Sequence, residues 1–172
     1  MTFWNIIITF IVIVVLAVII NGVEDYGNRN KLSKLSFGES MGRLNFPIVT
    51  LTNNGKDFNF LVDTGASVSV VDSKVLDEFE HTKLRDEGNA YGVDGNIVKV
   101  DYASIELSTE EITFTKQFQV MRLNAFDNIR ETDGLNLHGI LGSDFLNAHS
   151  SIVDFGQLTL YIREAQDDLS SN

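Results

Sequence analysis

Phe60-Leu61-Val62-Asp63-Thr64-Gly65-Ala66-Ser67 is the stretch whose reading decides the fold. An apolar run carries one carboxylate into a glycine-containing turn. The run reads as a buried strand. Asp63 at its end is costly to bury unless it is hydrogen-bonded or shares its charge with a partner. Gly65 allows close backbone approach and leaves N–H groups unhindered for that carboxylate. Thr64 adds a hydroxyl able to bond across an interface. The tripeptide alone is also compatible with a plain strand ending in a turn, so its flanks carry the argument.

Upstream, Ile48-Val49-Thr50-Leu51 is a β-branched run, and Pro47 suits the first residue of a strand. Thr52 to Lys56 contains Asn54-Gly55, and Phe58, Phe60 and Val62 then alternate with less apolar neighbours. Two such runs around Asn-Gly predict a hairpin whose second strand ends at Asp63. Downstream, Ser67 to Val71 reads as a short strand. Asp72 or Ser73 is placed to cap a short helix over Lys74 to Glu80. His81 to Asn89 is polar and reads as loop. Ala90 to Ile97, with Asp94-Gly95, predicts a second hairpin. Val98, Val100 and Tyr102 share one parity and Ile105 and Leu107 the other, which predicts a bulge or bend near Ala103. Ile112, Phe114, Phe118 and Val120 mark a half-buried strand. Leu123 to Leu137 reads as a long loop with at most a helical turn. Gly139-Ile140-Leu141-Gly142 is apolar, and Ser143 is placed to cap a helix over Asp144 to Ala148. Ser151 to Ile162 reads as a closing hairpin.

The 172 residues suffice for one domain with a core. Phe3 to Ile20 is uncharged and nearly all apolar, and as a helix it would span about 27 Å. No Lys or Arg precedes it and no small-x-small site follows before Asn21-Gly22-Val23. The expectation is a retained single-pass anchor in the lipid bilayer rather than a cleaved signal. The positive-inside rule leans toward a cytoplasm-facing domain, on Arg29, Lys31 and Lys34 alone. The expected division is an anchor over 1–22, a linker over 23–42, the folded domain over 43–163 and an acidic tail over 164–172. A net charge of −11 opposes nucleic-acid binding. The chain has no Cys, so neither disulfides nor thiolate chemistry enter. His81, His138 and His149 lack metal-ligand spacing and read as surface or capping residues. No metal or other cofactor is expected.

Taken together, these features resemble the retropepsin-like aspartic proteases. Four carry the likeness in order: the hairpin into Asp63-Thr64-Gly65-Ala66-Ser67, the glycine-bearing hairpin Tyr91 to Ile97, the Ile140-Leu141-Gly142 element, and the helix beginning Ser143-Asp144-Phe145-Leu146. The resemblance implies an all-β fold, a closed acid-protease barrel with one or two short helices. By position it implies that Asp63 is catalytic, that the Thr64 hydroxyl locks two active-site loops together, and that Gly65 hydrogen-bonds the carboxylate. Ala66 and a flap containing Tyr91, Gly92, Val93, Asp94 and Gly95 would contact substrate, and Ile140-Leu141-Gly142 would support the loop from beneath. Two departures stand out: Ser143 replaces an arginine common in retroviral members, and the Gly-Val-Asp-Gly flap tip carries a charge.

No second Asp-Thr/Ser-Gly occurs. Peptide hydrolysis without a metal or a covalent nucleophile needs one carboxylate to take a proton from water and a second, protonated, to polarise the carbonyl. The resemblance therefore implies a C2 homodimer with one Asp63 from each chain, acting on a peptide or protein substrate. Two other readings stand beside this one. One is a catalytically silent peptide-binding or dimerisation module of the same fold; the other is a β-barrel adaptor for a membrane complex.

Overall fold

The computed structural model describes residues 13–17, 31–91 and 97–164, with backbone only at 85–91 and 97–99. The chain forms two units, Met1–Lys31 and Leu32–Asn172. In the first, residues 13–17 are helical, and Ile13, Val14, Val15 and Leu16 are exposed. Among the described residues no helix is long and apolar enough to cross a membrane. The stretch Phe3 to Ile20 falls largely outside them, as does the acidic tail beyond residue 164.

The second unit is mostly β. A seven-stranded sheet contains β2 (Ile48–Asn53), β3 (Lys56–Val62), β4 (Val70–Asp72), β5 (His81–Tyr91), β6 (Ile97–Ser108), β7 (Thr113–Met121) and β8 (Gly139–Leu141). Its spatial order is β2-β3-β8-β4-β7-β6-β5. Strands β1 (Leu32–Ser36), β9 (Ile152–Asp154) and β10 (Thr159–Arg163) form a separate sheet in the order β1-β10-β9. At the seam of the expected closed barrel, β2 and β6 pair at a single position among the described residues, Thr52 opposite Ser108.

The β2–β3 hairpin follows its sequence signal. Asn54 and Gly55 both have positive φ, at 46° and 75°, and Asn53 faces Lys56 across the turn. Phe58, Phe60 and Val62 are buried in alternation. Phe58 stacks on Phe79 with ring centroids 3.9 Å apart, and Phe60 stacks on Phe118 at 5.7 Å. This aromatic core lies directly behind the strand that ends at Asp63.

β8 lies between β3 and β4, parallel to the first and antiparallel to the second. Glycine makes that insertion possible. A Cβ at Gly139 would stand 2.5 Å from the Val70 carbonyl oxygen and 2.9 Å from the Phe60 ring.

Several expectations required correction. The linker over 23–42 overlaps the folded unit. β1 pairs with β10 over five residues, and Gly38–Leu44 forms helix α1. On the inward parity of β1 stands Ser33, fully buried and donating to the Glu111 carboxylate at 2.5 Å, so the strand shows no apolar alternation. In α1 two glycines weaken the local signal. The Ser40 hydroxyl ties it to the next strand by accepting the Ile48 N–H at 3.0 Å. His81 to Asn89 is strand, because β5 is the edge of its sheet and an edge strand needs no apolar face. Ala125–Asp133 is a nine-residue helix, α2, which seats Phe126 against Ile48 and Leu137 in a second small core. The helix expected over Lys74 to Glu80 is a single 3₁₀ turn, Leu76–Glu78, and the strand expected over Ser67 to Val71 is β4, starting at Val70. With α3 (Ser143–Ala148) the described residues of this unit hold three short helices, where one or two were expected.

The β6 side chains change buried parity between Val100 and Ala103 as expected. The register shift, however, lies in β5 between Leu84 and Gly88, and β6 pairs with β7 without a break. His138 and His149 are buried rather than superficial. His138 Nδ1 accepts the Asn59 N–H at 3.0 Å beside Phe58 and Phe79. His149 lies 2.6 Å from the Arg163 carbonyl oxygen and packs on Phe114 and Phe145.

Candidate active site

β3 is fixed on both sides as it reaches Asp63. The Val62 N–H donates to the Pro47 carbonyl at 2.8 Å and the Asp63 N–H to the Leu141 carbonyl at 3.0 Å. Parallel pairing to β8 thus continues to the carboxylate-bearing residue itself. The chain then turns away from the sheet, and the Ala66 N–H closes the turn on the Asp63 carbonyl at 3.2 Å.

The Asp63 side chain is half-buried, while Thr64 and Gly65 are exposed beside it. The Gly65 N–H donates to Asp63 Oδ1 at 2.9 Å. A Cβ at Gly65 would sit 3.2 Å from that oxygen, so the residue's bareness helps the N–H approach. Among the described residues no cation stands against this carboxylate. A carboxylate with a single donor, at an exposed turn, has lone pairs left for water, substrate or a second carboxyl group.

Behind the loop, the Ala66 carbonyl accepts the Ser143 N–H at 2.8 Å. Gly142 lies so close that a Cβ there would meet the Val68 carbonyl oxygen at 2.6 Å and the Ala66 oxygen at 2.9 Å. Asp63, Thr64, Gly65 and Ala66 are therefore brought together on one loop, resting on Leu141, Gly142 and Ser143. Ser143 is the first residue of α3 rather than its cap, a place taken by Gly142.

The glycine-bearing hairpin is present as strands. Tyr91 ends β5 opposite Ile97 at the start of β6. Gly92, Val93, Asp94 and Gly95, at its tip, lie outside the described residues, as does the Tyr91 side chain.

A buried polar group beneath the loop escaped the sequence reading. The Ser69 hydroxyl donates to Asp144 Oδ1 at 2.6 Å and accepts the Gly142 N–H at 3.0 Å. Lys116 reaches Asp144 Oδ2 at 2.5 Å. Burial pushes the Asp144 carboxyl upward, but the bonds from Lys116 and Ser69 outweigh it and hold it below the ordinary value. The available signal was Lys116 itself, a charge on the same parity as Phe114 and Phe118. Among the described residues no group of three or more His, Cys, Asp or Glu is arranged to hold a metal ion.

Comparison with known proteins bears on this geometry. A family model described as "Aspartyl protease" matches residues 49–145, from β2 through the start of α3. No curated protein matches the chain. Among solved structures, the retroviral protease-like domain of Ddi1 from Leishmania major is 17% identical, with a TM-score of 0.50, and the match covers 73% of this chain and 98% of that domain. A retropepsin-like aspartic protease from Rickettsia conorii is 14% identical over 80% of this chain and 94% of that one, with a TM-score of 0.49. The EIAV protease, solved with the inhibitor HBY-793, is 20% identical over 59% of this chain and 86% of that one, with a TM-score of 0.44. The matched span begins before the strand that delivers Asp63 and ends in the helix that supports its loop, and the chain belongs to the aspartyl protease family.

Proposed function

We propose that this chain is an aspartic endopeptidase that works as a homodimer and is held to a membrane by Phe3 to Ile20. The observation that carries the proposal is the state of Asp63. Its carboxylate sits on an exposed turn, takes one backbone hydrogen bond from Gly65, and has no neutralising cation among the described residues. Its remaining lone pairs are open to water, substrate and a second carboxyl group.

In the proposed mechanism two protomers meet about a two-fold axis at the turns containing Thr64 and Gly65. The two Asp63 carboxyls then share one proton. The ionised one takes a proton from water, and the protonated one polarises the scissile carbonyl. Gly65 N–H holds the orientation of each carboxylate, and the Thr64 hydroxyl bonds across the axis. Ala66 and the hairpin with Tyr91, Gly92, Val93, Asp94 and Gly95 line the substrate. The anchor confines both chains to a plane, which raises their effective concentration.

The test is cleavage of a mixed peptide library by the purified full-length chain, read by mass spectrometry, with Asp63→Asn as control. Cleavage by the wild type, reduced by several orders of magnitude in Asp63→Asn, is the expected result. Peptide binding without cleavage would favour the silent module instead. The membrane reading is tested by an alkaline carbonate wash: retention in the membrane pellet is expected, and recovery in the soluble fraction would refute it.

A further inference from the structure

A run of hydrogen bonds connects the inward face of β7 to the loop that carries Asp63. Lys116 lies on the core-facing parity of β7 and its side chain is 18% exposed. Its ammonium meets Asp144 Oδ2 at the start of α3. Asp144 Oδ1 accepts the Ser69 hydroxyl, and the Ser69 oxygen accepts the Gly142 N–H. Gly142 leaves no room for a side chain against the Val68 and Ala66 carbonyls, and the Ser143 N–H donates to the Ala66 carbonyl. Ala66 N–H closes on Asp63.

The direction of every bond is fixed by proton counting. Ser69 has one hydroxyl hydrogen, and Gly142 brings only an N–H. The Ser69 oxygen must therefore accept from Gly142 and send its own hydrogen to Asp144. Asp144 can receive it only while it has a free lone pair, and its ionised form is matched by the Lys116 charge. Ser69 is almost fully buried, so water does not substitute for a lost partner.

Resting on the protease reading above, we infer that Lys116, Asp144 and Ser69 are positioning residues that set the shape of the catalytic loop through Gly142. They touch neither substrate nor the reacting carboxyl. Their effect is on where Asp63 stands relative to its counterpart in the second protomer, and a misplacement of about 1 Å there costs about a hundred-fold in rate.

The experiment uses the full-length chain with Ser69→Ala, Asp144→Asn, their double variant, Lys116→Met and Lys116→Arg. Turnover of the peptide library and amide hydrogen exchange are both read. Ser69→Ala and Asp144→Asn are each expected to lower kcat by about ten- to a hundred-fold with KM within about three-fold. The double variant falls no further than the worse single one, because the residues act in series. Lys116→Arg retains most of the activity that Lys116→Met loses. Exchange quickens at Ala66, Gly142 and Ser143 and is unchanged at Val49 and Phe60 in the β2–β3 hairpin. Undiminished kcat in folded Ser69→Ala overturns the inference, as does exchange that quickens equally in the hairpin. A wild type that cleaves nothing refutes the protease reading separately. In that case exchange alone decides, and unchanged exchange at Gly142 and Ser143 in Ser69→Ala refutes the positioning role.

Discussion

Asp63 and Asp72 lie nine positions apart, one at the end of β3 and the other at the end of β4, and they are treated in opposite ways. Asp72 is fully buried. Its carboxylate accepts both the Arg122 guanidinium, at 2.8 and 3.1 Å, and the backbone N–H groups of Lys74 and Leu123, at 3.1 and 3.3 Å. Arg122 also pairs with Asp127, which in turn holds Lys74 at 2.7 Å and Arg130 at 3.2 Å. This network clamps α2 to β4. Asp63 is half-buried and takes one N–H. Asp72 is saturated with donors and neutralised, whereas Asp63 keeps vacant lone pairs, which the proposed site would fill with a second carboxyl from another chain and with substrate.

The same substitution at the two sites exposes the contrast. Asp63→Asn is expected to lower turnover by several orders of magnitude while thermal stability is unchanged or slightly higher, since two close carboxyls no longer repel. Asp72→Asn turns an acceptor toward Arg122 into a donor. It is expected to lower unfolding free energy by about 1.5–3 kcal/mol, with turnover per folded molecule retained. Denaturant unfolding and peptide cleavage on both variants check the pair. Loss of stability in Asp63→Asn, or loss of activity without loss of stability in Asp72→Asn, would erase the distinction.

Gly142→Ala strikes where scaffold and loop meet. The new Cβ would overlap the Val68 and Ala66 backbone, so the loop must shift. A stability loss of about 1–3 kcal/mol is expected, with a fall in kcat larger than the unfolded fraction explains. Parallel decline of activity and folded fraction would show that the loop tolerates the shift.

The smallest effect concerns the buried histidines. Burial lowers the pKa of His138, and burial together with the nearby Lys116 charge lowers that of His149. The folded state therefore binds fewer protons than the unfolded chain. Their contribution is fully present above the unfolded value near 6.5 and is lost as pH falls below it. Stability is expected to decline as pH falls below about 6.5, with a slope no steeper than about 1.4 kcal/mol per pH unit for each histidine. His138→Gln should flatten that slope, as measured by denaturant midpoints across the range. An unchanged slope would assign the pH dependence to other groups.

The hairpin into Asp63 was legible because its apolar alternation and its Asn54-Gly55 turn both act locally. β8 and α3 were legible from Gly139-Ile140-Leu141-Gly142 and the acidic residue that follows Ser143. The elements that escaped are those held by distant polar partners. β1 turns a serine inward to meet Glu111, α2 is fastened by charges to β4 and buries only Phe126, and β5 is an edge. Their periodicity is weak because tertiary hydrogen bonds, rather than an apolar face, hold them in place. In the site, Asp63 through Ala66 could be read from one contiguous motif. Ser69, Lys116 and Asp144 are scattered over 75 positions and become a unit only when β7, β4 and α3 are packed together.

If one site is built from two copies of Asp63, mixing of subunits reveals it. Wild-type and Asp63→Asn chains would be combined at constant total concentration, allowed to exchange, and assayed for cleavage. Activity is expected in proportion to the square of the wild-type fraction, so that an equal mixture retains about one quarter. A linear decline, with about one half remaining at equal mixing, would mean that each chain works alone and would contradict the shared site.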